Sequence, residues 1–431
     1  MPRPERKWLV IYALLFALSF TGYPLASSGL AAFGGYSQMV SITFRALMAL
    51  LAGASIWFAV FRVAARARND VAIAVFGALW ISLILRFTWD ATGVAIPMDL
   101  PWTEDFLFIF GVTLLPAVAL FQLPAPQTLD LARRIMILAG TTAGMLTLFS
   151  IVNLVRSDDK LTVLSRFSTE SLNPISLGHL GVTLVVVALL AQNVAVEGRF
   201  AAWLDAKPAK LVSGFLGILL AIGSGSKGPM LSLVAVFVLW QAGRALRSSG
   251  SAAVFKTALR LLSILIVVVM LAIALESITG LQTLGRFANL LSDTSTTDRQ
   301  LIMSRALHEF ELSPWFGYSF VEVRARFYPH NVAVETLMAT GLVGGALLAA
   351  LLALTIDAAV RLMRTRFDWV VLLYGQYLVA AMASGSAYFD PQFWAITMVL
   401  IATDRAINGF VPLFQESIQK AAILTDVHNA Q

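Results

Sequence analysis

Long apolar segments recur along the whole chain and constrain its fold more than any other feature. A helix of about 20 apolar residues spans the hydrocarbon core of a bilayer. Of the 431 residues, 58% are hydrophobic and only 13% are charged, which leaves too little polar surface for a water-soluble protein. The sequence therefore predicts an all-α polytopic membrane protein in which residues 1–431 form a single membrane domain. The twelve candidate spans are 8–26, 39–61, 71–87, 106–123, 135–155, 175–196, 211–223, 228–242, 261–279, 331–356, 369–384 and 391–403.

The absence of cysteine and the character of the N-terminus limit which kinds of membrane protein this chain can be. The chain has no cysteine, so disulfides, thiolate metal sites and thiol nucleophiles are excluded. The N-terminus has a basic start and then an apolar run, as a signal peptide does. Because no convincing small-residue cleavage site precedes a soluble domain, we expect the first span to be retained.

Basic residues give the spans an orientation. With the N-terminus in the cytoplasm, the predicted cytoplasmic segments hold 20 of the 31 Lys and Arg residues, as the positive-inside rule requires. The apolar run 211–242 is split at its helix-breaking centre, 223–229. Without this split, the basic segment 241–260 would lie outside. The cytoplasmic segments are 1–7, 62–70, 124–134, 197–210, 241–260, 361–368 and the tail 404–431.

Eleven basic residues are not explained by this topology, and nine of them lie on the predicted outer side of the membrane. The longest connection between spans, 281–330, is predicted to be a loop on this outer side. Within it, 298–312 has apolar residues at helical spacing and predicts an amphipathic helix at the membrane surface, with Ser295, Thr296 and Thr297 before it as caps. The eleven are Arg45, Arg86, Arg156, Lys160, Arg166, Lys227, Arg286, Arg299, Arg305, Arg324 and Arg326.

His330 ends this loop and is the best candidate for proton transfer. An imidazole has an unperturbed pKa of about 6.5, which suits a general base near neutral pH. The alternative is an interfacial histidine that only hydrogen-bonds a carbonyl. Gly341, Gly344 and Gly345 follow in the next span, where they are predicted to share one face and admit a neighbouring helix.

Lys227 is the second candidate, because a cation at a Gly-rich helix break suits a wet, anion-binding cavity. The alternative is that Lys227 snorkels to the outer surface. Arg166 and Arg299, each ordinary as an exposed charge, are more suggestive together with Lys227 and His330 on one membrane face. Arg is well suited to bidentate phosphate recognition.

These residues resemble the O-antigen ligase and polysaccharide polymerase superfamily of bacterial envelope glycan assembly. His330-Asn331, nine residues, Gly341, two residues and Gly344 resemble the family's histidine signature. Weaker similarities cover roughly 166–350. They are Asp298-Arg299-Gln300, Ser313-Pro314-Trp315-Phe316-Gly317-Tyr318, Gly225-Ser226-Lys227-Gly228 and Leu172-Asn173-Pro174. Lys227, Met303 and Ser319 depart from the family pattern, which has Arg, often an aromatic, and Gly there.

The resemblance implies a metal-independent, cofactor-free, inverting glycosyltransferase of the GT-C type in the bacterial inner membrane. The donor would be a glycan on undecaprenyl diphosphate, and the acceptor would be lipid A-core in a ligase or a second lipid-linked glycan in a polymerase. His330 would take the proton of the acceptor hydroxyl. The predicted donor-binding residues are Lys227, Arg299, Arg166, Arg305, Arg286, Asn331, Asn173 and Tyr318.

Two other functions fit twelve spans. A secondary transporter is one, although no internal repeat is evident and the cations gather on the outer face. A non-catalytic scaffold or lipid-binding partner of an assembly complex is the other. Between ligase and polymerase, the residues do not identify the acceptor, and we slightly favour a ligase.

Overall fold

A computed structural model gives the fold, and every regular element it describes is a helix. The residues described are 6–32, 38–62, 71–93, 102–121, 126–158, 167–168, 172–192, 199–247, 270, 273 and 294–408. The predicted ninth span, 261–279, therefore lies almost wholly outside the described residues. So does most of the predicted tail, 404–431.

The helices follow the apolar segments closely. Two segments are π-helical: Ile109–Leu114 in the middle of the predicted fourth span, and Val185–Leu190 in the second half of the predicted sixth span. The helices are α1 (Arg6–Ala32), α2 (Gln38–Arg62), α3 (Val71–Gly93), α4 (Trp102–Phe108), α5 (Leu115–Phe121), α6 (Pro126–Asp158), α7 (Pro174–Leu184), α8 (Arg199–Leu204), α9 (Lys207–Gly223), α10 (Lys227–Arg247), α11 (Thr294–Leu312), α12 (Val332–Leu362), α13 (Asp368–Ser384) and α14 (Pro391–Asn408).

Six segments within the described helices are long and apolar enough to cross a membrane, so the chain is a multi-pass membrane protein. They are Leu9–Ala32, Val71–Thr92, Trp102–Phe121, Gln127–Asn153, Lys227–Arg247 and Val332–Leu362. The predicted break in the run 211–242 is confirmed, because α9 ends at Gly223 and α10 begins at Lys227. Gly225 makes the turn between them in the left-handed region, at φ 55°.

Basic residues of the predicted cytoplasmic segments pair with carboxylates at one end of the bundle. Arg133 and Arg134 both contact Asp205. The other pairs in this group are Arg247–Asp368, Arg361–Asp404 and Arg366–Asp130. The helix ends near His330 lie at the opposite end, because α10 and α13 each run between the two ends. The charge asymmetry read from the sequence thus corresponds to two distinct ends of the fold.

The loop helix differs from the prediction at its start. The helix α11 already begins at Thr294, so Ser295, Thr296 and Thr297 lie inside it and do not precede it. Leu301 and Leu307 lie exposed on α11, where an amphipathic helix at the membrane surface would contact lipid. Glu309 is buried, because it accepts hydrogen bonds from the Ser319 hydroxyl and the Val323 N–H.

Candidate functional site

The C-terminal end of α13 is where the candidate residues meet. The Asn331 amide donates to the carbonyl of Met382 at 2.8 Å. The His330 imidazole is hydrogen-bonded to the backbone of Ser384. The Ser384 hydroxyl oxygen lies 3.7 Å from the point where a Cβ would stand on Gly228, in the first turn of α10. The histidine motif and the Gly-Ser-Lys-Gly turn, far apart in sequence, therefore contact the same helix end.

His330 is held in an unusual conformation. Its φ is +59°, a left-handed backbone that costs a residue other than glycine about 1–3 kcal/mol. Its ring packs against those of Tyr328 and Phe327, with centroids 4.8 and 5.3 Å away. Its Nδ1 is buried and has no hydrogen-bond partner among the described residues. The fold thus fixes the imidazole and leaves one of its nitrogens unused.

The surroundings keep the His330 imidazole neutral near pH 7. Burial lowers its pKa most, and the positive charge of Arg299 lowers it further. The hydrogen bond with the Ser384 backbone acts in the opposite direction but does not reverse the shift. A neutral imidazole can accept a proton, as a general base must.

A kink in α12 shapes the region after His330. At Gly341 the backbone leaves the helical region, with φ 64° and ψ −157°, a conformation open essentially to glycine alone. A Cβ at Gly341 would lie 2.4 Å from the Trp315 carbonyl carbon, and one at Gly317 would lie 2.2 Å from that of Ala339. The prediction that Gly341 shares a helical face with Gly344 and Gly345 is wrong, because the chain that approaches is the loop segment 313–318.

The loop segment 313–318 replaces the hydrogen bonds that the kink breaks. The N–H of Leu342 donates to Pro314 and that of Val343 to Trp315, while the N–H of Tyr318 donates to the Met338 carbonyl. Unpaired backbone groups at membrane depth cost several kcal/mol each. This pairing explains why the loop has a glycine at position 317 and the facing kink of α12 has one at position 341.

Arg86 of α3 completes this arrangement, and its role was missed from the sequence. Its guanidinium donates to the carbonyls of Phe316, Gly317, Tyr318 and Ala339. The carboxylate of Asp90, one turn later on α3, pairs with Arg86 at 3.5 Å and accepts the N–H of Phe320 at 2.6 Å. The sequence signal that could have revealed this role is an oppositely charged pair of residues, four positions apart, inside an apolar segment.

Buried acids line the same end of the bundle and were also missed. Glu335, fully buried in the first turn of α12, accepts the Ser386 hydroxyl and the Ala387 N–H. Burial raises the pKa of Asp390, just before α14, to about 7. Burial, with the charges of Glu335 and Asp390, raises the pKa of the Tyr328 hydroxyl to about 12. Tyr328 therefore stays protonated beside His330.

The predicted asparagines act as helix caps. Asn331 accepts the N–H groups of Ala333 and Val334 at the start of α12. Asn173 accepts that of Ser176 at the start of α7. Their proposed contacts with substrate stay predictions.

The other residues predicted to bind the donor do not all lie near His330. The charge of Arg299 acts on His330. Arg305 follows six residues later on α11, about 240° around the helix, and so faces elsewhere. Tyr318 lies exposed at the kink of α12. Arg166 and Arg286 lie outside the described residues, although Phe167 donates its N–H to the carbonyl of Gly223, where the Lys227 turn begins.

At this end of the bundle, a candidate base lies beside positively charged side chains. A neutral imidazole, a guanidinium and a lysine at a helix start suit proton removal next to a phosphate ester. Within the described residues, no group of three or more His, Asp or Glu side chains could hold a metal ion.

Comparison with known proteins supports the pattern read from the sequence. Residues 212–349 match the family described as O-antigen ligase, a range that contains the Lys227 turn, α11, His330 and the kink. No curated protein matches the chain.

Proposed function

We propose that this chain, whose residues 212–349 form an O-antigen ligase family domain, is a glycosyltransferase that uses lipid-linked glycans. In this proposal it transfers a glycan from undecaprenyl diphosphate to a hydroxyl of lipid A-core. The site faces the periplasm, in a GT-C-like bundle of about twelve spans with both termini in the cytoplasm. This orientation rests on the excess of Lys and Arg in the predicted cytoplasmic segments.

The observation that carries the proposal is the state of His330. A strained, neutral imidazole with an unpartnered nitrogen lies beside Arg299, inside the matched family domain. His330 accepts the proton of the acceptor hydroxyl as its oxygen attacks the anomeric carbon. The bond from that carbon to the diphosphate oxygen breaks on the opposite face, so the configuration inverts. Arg299 and Lys227 stabilise the charge that develops on the departing diphosphate.

Transfer by the purified protein tests this function. The protein in lipid nanodiscs is supplied with a glycan on undecaprenyl diphosphate and with lipid A-core. Glycan joined to lipid A-core supports a ligase. Longer glycans that stay on the lipid carrier would identify a polymerase instead. With neither product, and with solute uptake by proteoliposomes, the transporter alternative would replace the proposal.

A deletion strain provides the matching test in cells. Loss of a ligase leaves full-length polymer on its lipid carrier, whereas loss of a polymerase leaves single repeat units. The protein is reintroduced as a control, and the normal glycan pattern should return. Single repeat units in the deletion strain would contradict the ligase assignment.

The pH dependence of transfer should depend on Arg299. Because the pKa of His330 lies below its usual value, kcat/KM should begin to fall at a lower pH than an unperturbed histidine would produce. Arg299→Gln removes a cation that lowers this pKa, so the acid limb should move to higher pH. Arg324→Gln, in the exposed part of the same loop, is the matched control and should leave the acid limb in place. An acid limb that does not move in Arg299→Gln would contradict the role of His330 as base.

A further inference from the structure

His179, in α7, is a buried polar side chain that the proposed mechanism does not use. It is only 8% exposed. Neither of its ring nitrogens has a hydrogen-bond partner among the described residues. A buried polar group without a partner destabilises the fold. The ring of Tyr377 lies 5.9 Å away and packs against the imidazole without satisfying its nitrogens.

The Nε2 atom of His179 faces the beginning of α10. It lies 3.9 Å from the point where a Cβ would stand on Gly228, and the Ser384 hydroxyl oxygen lies 3.7 Å from the same point. The close packing of α7 at Gly178 against Pro229 fixes this approach, since a Cβ at Gly178 would lie 2.6 Å from the proline ring. Gly228 thus leaves a space about the size of a methyl group between two polar side chains.

The backbone around this space favours an anion. Gly228 is the second residue of α10, which is 21 residues long, so its N–H lies in the turn that has no acceptor within the helix. The N-terminus of such a helix carries a partial positive charge. Lys227 adds a full charge immediately before it. The unpartnered Nε2 of His179 points to the same place from a different helix.

We propose that His179 binds a phosphate oxygen of the lipid-linked donor, with its Nε2–H donating, at the N-terminus of α10. The identity of this ligand rests on the function proposed above. The Ser384 hydroxyl borders the space proposed for the phosphate oxygen, and the Ser384 backbone is hydrogen-bonded to the His330 imidazole. The leaving phosphate and the base therefore lie on the two sides of Ser384.

Two substitutions separate binding from packing. His179→Phe keeps the ring and removes both unpartnered nitrogens, so the thermal midpoint of the ligand-free protein should stay the same or rise. The same change should raise the Kd for undecaprenyl diphosphate about ten- to hundredfold, the range for a hydrogen bond to a charged group. Gly228→Ala fits the fold without a clash but fills the anion space, so it should weaken binding as well.

Matched variants complete the experiment, which uses the full chain in nanodiscs with undecaprenyl diphosphate as the lipid probe. His179→Gln retains an N–H donor and should bind within about threefold of the wild type. His308→Phe, on the exposed face of α11, should bind as the wild type does. Inorganic diphosphate, added as a competitor, should displace the lipid from the wild type at a lower concentration than from His179→Phe.

The outcomes distinguish this inference from the proposed function. Wild-type affinity in His179→Phe, or equal displacement by inorganic diphosphate from both proteins, would overturn the inference even if the protein transfers glycan. Conversely, the protein could bind the lipid in a way that depends on His179 and yet transfer no glycan. That result would support the phosphate site and contradict the proposed transferase function.

Discussion

Replacing His330 with glycine is expected to lower the rate of glycan transfer by at least about a hundredfold while the protein remains folded. A positioned general base contributes roughly 10²–10⁴ to a rate, and His330→Gly removes the base. The substitution suits the backbone, because glycine adopts the left-handed conformation at φ 59° without strain. The strain relieved, about 1–3 kcal/mol, offsets lost ring contacts with Tyr328 and Phe327.

The measurement is the single-turnover rate of transfer, together with the thermal midpoint of the same preparations. Arg326 provides a matched control, since it is the other described non-glycine residue with positive φ, at 53°, and lies exposed in the same loop. Arg326→Gly relieves similar strain and should retain transfer within about threefold. If His330→Gly transferred glycan nearly as fast as Arg326→Gly, His330 could not be the base.

Sequence reasoning succeeded where the signal lies in neighbouring residues. Apolar runs predicted the helices, and the cluster of helix-breaking residues from Gly223 to Pro229 predicted the break between α9 and α10. The orientation from the positive-inside rule stays a prediction. The spacing from His330 to Gly341 and Gly344 predicted a resemblance to the family whose model matches residues 212–349. Each of these signals is local or compositional.

Sequence reasoning failed where two distant segments share their polar groups. An apolar run from Val332 to Leu362 indicates a continuous helix, because hydropathy does not register the backbone angles of Gly341. The kink exists because the loop segment 313–318 replaces its missing hydrogen bonds, and only the tertiary structure reveals that pairing. Glu309 was missed for a similar reason, since its partners Ser319 and Val323 lie beyond the end of its own helix.

The same pairing also changes how the motif is understood. The first glycine of the histidine signature, Gly341, does not serve helix packing but receives the loop that carries Gly317. That loop continues through Phe320, which Asp90 holds, to His330. The spacing between His330 and Gly341 therefore links the base to the point where the loop is anchored, and one side chain of α3 secures that anchor.

Arg86→Met is expected to destabilise the protein by about 3 kcal/mol, the lower end of the cost of removing one partner of a buried ion pair, because Asp90 is buried and Arg86 is partly exposed, and to reduce transfer by more than tenfold. The change leaves the Asp90 carboxylate unpaired and removes the donor from four carbonyls at the kink, including that of Ala339. The loop that ends at His330 loses its anchor, so transfer falls with stability. Stability is measured as the midpoint of unfolding in a mixed-detergent titration.

Three further variants show whether the pairing is responsible. Arg86→Lys keeps the charge but loses the planar fork that reaches several carbonyls, so it should recover only part of the loss. Asp90→Asn added to Arg86→Met removes the unpaired charge and should restore about 1–3 kcal/mol. Arg45→Met removes another arginine from the apolar helices, one that lies 4.9 Å over the Phe108 ring, and should cost no more than about 1–2 kcal/mol. Equal losses in Arg86→Met and Arg45→Met would show that the carbonyl contacts of Arg86 do not hold the loop.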